Sequence, residues 1–283
     1  MILGKADYIK MNKENIALQV YSVRGDLEKD FFGTLRAVKE MGYAGVEFAG
    51  LYGNDPKEVK AFCEEIGLIP LSAHVPFQEL MADMDGTIAA YKTLGVQYVV
   101  IPYLTEELRP GQPGFQTVID GMKQIGAKLK EVGLVQQYHN HDFEFVMLDG
   151  EYALDILYRE LGPELLQTQI DTCWVNVAGV DPAGYIRKYA GRTPTVHLKD
   201  FVGSKSENMY GLIGLKDSAA KASDGFQLRP VGKGKQDFPA IVAAAEEGGA
   251  KWYIVEQDEP SMGLTALECA KASIDYLHNE ICK

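Results

Sequence analysis

One phrase recurs along the chain: a helix-forming stretch, a glycine, then a new run of strand-forming residues. It appears as Met41-Gly42-Tyr43, Ile66-Gly67-Leu68, Leu94-Gly95-Val96, Val132-Gly133-Leu134 and Gly248-Gly249-Ala250. Glycine takes the left-handed conformation that ends a helix at little cost, so each phrase marks a helix-to-strand turn. Strand patterns fall at 16–21, 44–48, 69–74, 97–102, 134–139, 166–171, 195–198 and 252–256. Helical patterns lie between them, at 30–41, 56–66, 79–94, 114–132, 153–161, 182–189 and 238–247, with a last one at 264–279. In the first, Phe31, Leu35, Val38 and Met41 form one apolar face at helical spacing. Alternating β and α elements require a parallel sheet with crossover helices. Eight such units in 283 residues predict an α/β fold, a closed (β/α)8 TIM barrel in a single domain. An open doubly wound sheet is the alternative. It ranks lower because no glycine-rich phosphate fingerprint follows the first strand, and Gly232-Lys233-Gly234 is too short and misplaced to be one. Residues 1–14 read as a polar N-terminal arm, 15–283 as the barrel, and about 202–236 as a long loop within it.

Charge narrows the partners. Twenty-eight basic residues stand against 40 acidic ones, a formal net charge of −12. An acidic surface repels phosphate backbones, so nucleic acid is not an expected partner. A small phosphorylated substrate in a locally basic pocket stays open. No stretch approaches the roughly 18 apolar residues of a membrane span, and the first residues lack the apolar core of a signal peptide. Cys63, Cys173, Cys269 and Cys282 are scattered without a CxxC pair, which fits a reducing cytoplasm better than a disulfide scaffold. Cys63 and Cys269 fall in helical patterns and are expected to be buried as small hydrophobes. The oligomeric state is left open, a homo-oligomer included.

In a barrel of this kind the active site forms at the C-terminal ends of the strands. The polar residues there are Glu47, His74, His139-Asn140-His141, Asp171, His197 and Glu256. Asp171, His197 and Glu256 come from three consecutive strands and would converge on one point. Two carboxylates and an imidazole suit a divalent cation at roughly 2.0–2.2 Å. Without one, the same groups would share a proton or pair as a salt bridge. A fourth ligand is expected from strand five, where His139 is best placed and His141 points the same way by alternation.

The phrases Tyr138-His139-Asn140-His141-Asp142-Phe143-Glu144-Phe145, Ile170-Asp171-Thr172-Cys173-Trp174, Val196-His197-Leu198-Lys199-Asp200, Val231-Gly232-Lys233-Gly234 with Asp237-Phe238, and Val255-Glu256 occur in this order. Together they resemble the xylose isomerase-like TIM-barrel superfamily, of the sugar-phosphate isomerase/epimerase type, from about residue 15 to 280. The resemblance implies one divalent ion (Mn, Co, Zn or Mg) held by a strand-five Glu, a strand-six Asp, a strand-seven His and a strand-eight Glu. Three of these carry over to Asp171, His197 and Glu256, while His139 replaces the strand-five glutamate, as in other members with the Tyr-His-Asn-His phrase. The superfamily's apurinic-site endonucleases use three zinc ions. They need a histidine where Trp174 stands and an Asp-x-His where Gln227 and Arg229 stand, so that activity is not expected.

The leading expectation is an isomerase or epimerase of a ketose-like sugar or its derivative. A base among Glu256, His139 and His141 would remove the proton next to a carbonyl, with the metal stabilising the resulting charge. The alternative is a lyase, a dehydratase of a keto-inositol or keto-sugar, because the Tyr-His-Asn-His phrase resembles that of inosose dehydratases. A third reading is a non-catalytic sugar-binding module. Substrate contacts are expected from Glu47, His74, Glu144, Trp174, Lys199 and Arg229. Trp174 with Phe143 and Phe145 would make a stacking wall, and Arg229 would hold a carboxylate, phosphate or hydroxyls. Lys199, following His197, is expected to turn from the metal face unless the backbone bends.

Overall fold

The computed structural model describes residues 10–205 and 225–282. Eight parallel strands close into a barrel. They are β1 Ile16–Gln19, β2 Gly45–Ala49, β3 Ile69–His74, β4 Tyr98–Ile101, β5 Val135–His139, β6 Gln167–Asp171, β7 Thr195–Leu198 and β8 Trp252–Val255. The sheet closes where β1 pairs with β8, Ile16 opposite Tyr253 and Leu18 opposite Val255. Helices Phe31–Met41, Pro56–Ile66 and Met84–Leu94 each end on a left-handed glycine, at Gly42, Gly67 and Gly95. The helix-glycine-strand phrase therefore performs the turn expected of it.

Alternation sorts the strand residues into two cores. Those facing outward, such as Leu18, Phe48, Ile101, Tyr138, Val196 and Val255, join the helices in the main apolar core. Those facing inward form a small plug of Ala17, Leu71, Tyr98, Val100 and Ile254. Above the plug the interior is polar. The Gln137 amide donates to Thr168 O at 2.9 Å and to Thr195 Oγ1 at 3.0 Å. Gln169 Nε2 donates to Glu47 Oε2 at 2.7 Å. Closed strands leave this layer no solvent, so its polar groups must satisfy one another.

Some elements depart from the sequence pattern. The helix expected over 79–94 is two, Phe77–Ala82 and Met84–Leu94, broken at Asp83, whose side chain accepts the Gly86 N–H at 3.0 Å and caps the second. The short helix Thr172–Val177 follows β6 directly, and Arg24–Leu27 follows β1 after a 3-10 turn over Val20–Val23. The last helix, Ala266–Tyr276, ends in a π turn over Leu277–Ile281. Of the expected arm, residues 1–9 lie outside the described residues. Residues 10–14 pack on the barrel: Met11 is buried, its N–H donates to Glu246 Oε1 at 2.8 Å, and Asn12 and Asn15 form a capping box. Most of the long loop also lies outside the described residues. Its two ends pair as an antiparallel ribbon, Asp200–Val202 with Gln227–Arg229.

Candidate active site and metal centre

Four donor atoms from four consecutive strand ends meet at the mouth of the barrel. One atom each of His139, Asp171, His197 and Glu256 lies within 4.8 Å of all the others. Asp171 closes β6 and is also the N-cap of Thr172–Val177, where its Oδ1 accepts the Trp174 N–H at 2.9 Å. That bond aims Oδ2 into the site, where it accepts no hydrogen bond. Asn140 clasps the neighbouring strand end: its Oδ1 accepts the Asp171 N–H at 3.0 Å and its Nδ2 donates to Asp171 O at 3.3 Å. The clasp orders His139 and Asp171 relative to each other.

His197 is wholly buried, with Nδ1 3.0 Å from Glu256 Oε2 and Nε2 2.7 Å from Glu47 Oε1. Burial alone would lower its pKa, but the two carboxylates overcome that and push it up to about 10, a proton on Nδ1 that an ion bound there would displace. Burial and the His197 charge hold His139 well below the usual histidine range, hence neutral. Its Nδ1 faces Gln169 Oε1 at 3.2 Å, and its Nε2 stands 3.8 Å from Asp171 Oδ2 and 3.9 Å from Glu256 Oε2. Those gaps are too long for hydrogen bonds and suit two atoms bound to one ion at roughly 2.1 Å. Burial raises Asp171, with Lys199 and His197 opposing it. Burial pulls Glu256 the same way, but Lys199 and His197 hold it well below the carboxylate range.

Lys199 stands in the site. It lies two residues beyond His197, and positions i and i+2 of an extended chain share a face, which corrects the expectation that it turns away. Its Nζ is 2.9 Å from Glu256 Oε2, 2.9 Å from Asp258 Oδ2 and 3.6 Å from Asp171 Oδ2, and it sits over the Trp174 ring. Burial opposes its charge, but these three carboxylates raise its pKa well above the lysine value. Burial pushes Asp258 up to about 6. The buried carboxylates Glu47, Asp171, Glu256 and Asp258 gathered at one point, and the orphaned Asp171 Oδ2, fit one divalent cation.

A pocket of about 280 Å³ opens over this cluster, and His74, His139, His141, Lys199, Glu256 and Asp258 line its polar side. Tyr21, Pro76, Pro102 and Tyr103 form an apolar rim. His141 is stacked on Phe143, 10° from parallel at 5.6 Å, and burial followed by the Lys199 charge holds it neutral. The other substrate contacts expected from the sequence do not line the pocket. Glu47 is wholly buried beneath it, both oxygens occupied. Glu144 faces back into the protein, accepting the Tyr138 O–H at 2.5 Å and the His141 N–H at 2.8 Å. Trp174 is buried beneath Lys199, and Phe145 packs in the main core. Arg229 bonds to Leu228 O and Gln227 Oε1 on the ribbon. For Glu47, Glu144 and Arg229 a neighbouring group takes the polar atoms first. Asp258, Tyr21, Tyr103 and the supporting Gln19, Ser72 and Gln169 were not foreseen. Gln169 had a readable signal: it shares a strand face with Asp171, so it must point into the barrel.

The comparisons with known proteins bear on the fold and the family. An inosose dehydratase from Lacticaseibacillus casei is 25% identical over 269 residues, 86% of this chain and 88% of its own length. A crystal structure of a sugar phosphate isomerase/epimerase from Parabacteroides distasonis ATCC 8503 superposes with a TM-score of 0.76 at 23% identity, over 95% of this chain and 99% of that one. The IolI protein, solved with a bound zinc atom, superposes with a TM-score of 0.69 at 15% identity, over 92% and 95%. The family profile described as xylose isomerase-like TIM barrel matches residues 35–279. With eight strands closed in sequence order and the four donors at the ends of β5 to β8, this chain belongs to the xylose isomerase-like TIM barrel family.

Proposed function

We propose that the protein is a metal-dependent lyase that takes a proton from the carbon next to the carbonyl of a keto-polyol and expels a β-hydroxyl as water. The observation that carries this reading is the convergence of four donor atoms beneath a pocket whose bases are neutral imidazoles. His139 Nε2, Asp171 Oδ2, His197 Nδ1 and Glu256 Oε2 would hold one ion of Mn, Co, Zn or Mg. When bound, it polarises the carbonyl and stabilises the negative charge that proton removal creates. His141, neutral and on the pocket wall, accepts the proton. Lys199 Nζ donates a hydrogen bond to a substrate oxygen. Asp258, with a pKa near 6, is poised to hand a proton to the departing hydroxyl. Tyr21, Tyr103 and the rim prolines exclude water from the bond being broken.

Dehydration takes precedence over isomerisation because of the curated relatives that span nearly the whole chain. The second reading, an isomerase or epimerase of a ketose-like sugar, rests on the family and on the shared first step. The replacement of a strand-five carboxylate by His139 weighs against proton transfer between two glutamates. A non-catalytic sugar-binding module is disfavoured, because the relatives are enzymes and the donor set is complete. The reading includes a cytoplasmic protein, whose Cys63, Cys173 and Cys269 stay buried thiols.

The test is a panel of keto-inositols and ketoses incubated in D₂O with added Mn²⁺ or Co²⁺. Loss of water, seen as an ultraviolet-absorbing enone and by mass, is the expected result with a keto-inositol. Deuterium entry without water loss would move the assignment to the isomerase reading. Neither deuterium entry nor water loss with any substrate would sink both.

A further inference from the structure

Glu47 is the most heavily bonded side chain of the site and touches neither the pocket nor the four converging donors except through His197. Its Oε1 accepts from Gln19 Nε2 at 2.8 Å and His197 Nε2 at 2.7 Å, and lies 2.8 Å from His74 Nε2, which is also 2.8 Å from Gln169 Oε1. Its Oε2 accepts from Ser72 Oγ and Gln169 Nε2, each at 2.7 Å. The His74 and His197 rings are stacked 10° from parallel at 5.4 Å, with this oxygen between their nitrogens. Two histidines from β3 and β7 are thus held by one carboxylate from β2.

We infer that Glu47 is a positioning residue of the metal centre. By taking the His197 Nε2–H it presents Nδ1 to Asp171, Glu256 and His139, and the same oxygen, together with Gln169 Oε1, holds His74 on the pocket wall. A carboxylate behind a ligand histidine sets the tautomer and ring orientation and raises ligand basicity, and its loss costs ten- to a hundredfold in metal affinity. The four donors, with His74 beside them, explain why glutamate stands there: an amide has one acceptor oxygen and would turn its own donors on Ser72, Gln169 or His197. The inference rests on the metal-dependent reading of the site, but it assigns a residue that the reading leaves out.

The test has two arms. In the first, cobalt(II) chloride is titrated into wild type, Glu47→Gln, Glu47→Asp and Ser72→Ala, followed by visible absorption, with folding checked by circular dichroism. Glu47→Gln is expected to bind ten- to a hundredfold more weakly, and Glu47→Asp, whose shorter carboxylate retreats from His197, to fall between it and wild type. Ser72→Ala removes only a donor to Oε2 and is expected to stay within about threefold of wild type. A Glu47 with a merely structural role would lower the melting temperature in all three variants and leave affinity alone, and that result overturns the inference. The second arm needs no variant: in ¹¹³Cd-loaded, ¹⁵N-labelled wild type, metal coupling to His197 Nδ1 is expected, and coupling to Nε2 overturns the inference. Wild type that takes up neither metal would overturn the metal reading and this inference together. Uptake equal in wild type and both Glu47 variants overturns the inference alone.

Discussion

At the residue scale the site is a set of buried charges, and two of them make measurable demands on stability. Burial pushes Glu144 from an ordinary value of 4.5 up to about 8. The folded state therefore keeps a proton that the unfolded chain has lost, and the stability this gives is present below about pH 4.5 and lost as pH rises toward 8. The loss is at most about 1.4 kcal/mol per pH unit. Glu144→Gln keeps partners for Tyr138 and His141 and should flatten that slope between pH 5.5 and 7.5 in urea unfolding. Equal slopes in both proteins would show that Glu144 does not titrate there. Lys199 makes the opposite demand: it is buried against Glu256, Asp258 and Asp171. Lys199→Met leaves those carboxylates unpaired and should cost about 3–5 kcal/mol by denaturant unfolding. A cost below about 1 kcal/mol would mean that water or another cation already screens them.

At the element scale the Gly232-Lys233-Gly234 phrase shows how an anion-binding loop serves the chain's own carboxylate. Asp200 Oδ2 accepts the N–H groups of Gly232 at 3.0 Å and Gly234 at 2.7 Å, and Oδ1 those of Phe201 at 2.9 Å and Gln236 at 3.2 Å. Gly232 has a φ of +84°, and a Cβ on Gly234 would stand 2.2 Å from Asp200 Oδ1. The phrase is therefore a clasp that ties the loop before helix Phe238–Glu247 to the end of β7. Asp200→Ala should free those amides and speed their hydrogen exchange at 232–236 at least tenfold, with the barrel strands unchanged; an unchanged exchange rate would rule the clasp out. The β2–β3 pairing offers a second example. Its register shifts between Val46 and Glu47, so that Leu71 enters the interior plug while Ser72 and His74 reach Glu47. A bulge is a usual way to re-aim side chains near an active site, and no alternation rule applied to residues 69–74 places it.

At the scale of the whole molecule, stability and metal binding should be linked. A ligand that binds only the folded state at a hundred times its Kd adds about 2.7 kcal/mol. For a domain of this size that is roughly 5–10 °C in melting temperature. Mn²⁺ or Co²⁺ should raise the thermal midpoint by that order, and a chelator should return it. A midpoint indifferent to both would leave the net charge of the donor cluster without its proposed counter-ion. The gain should fade as pH falls, because the donors, His197 above all, must shed their protons to bind.

The chain's periodicity determined the barrel: eight helix-glycine-strand units leave few ways to pair parallel strands, and closure follows from their number. Its polar strand ends also named the four converging donors, because residues at equivalent ends of neighbouring strands must meet at the mouth. Which polar residues face the pocket was decided only in three dimensions. Glu47 and Glu144 sit at positions that would suit substrate, yet each is turned to buried donors from elements 25 or more residues away or a few residues along. Lys199 and Asp258 come from adjacent strands and pair across the site, a contact that depends on register. Local pattern fixes where a side chain starts and which face it takes. Its partners, and so its charge and its role, depend on which distant groups the closed barrel brings within 3 Å, where burial makes each unsatisfied polar atom costly.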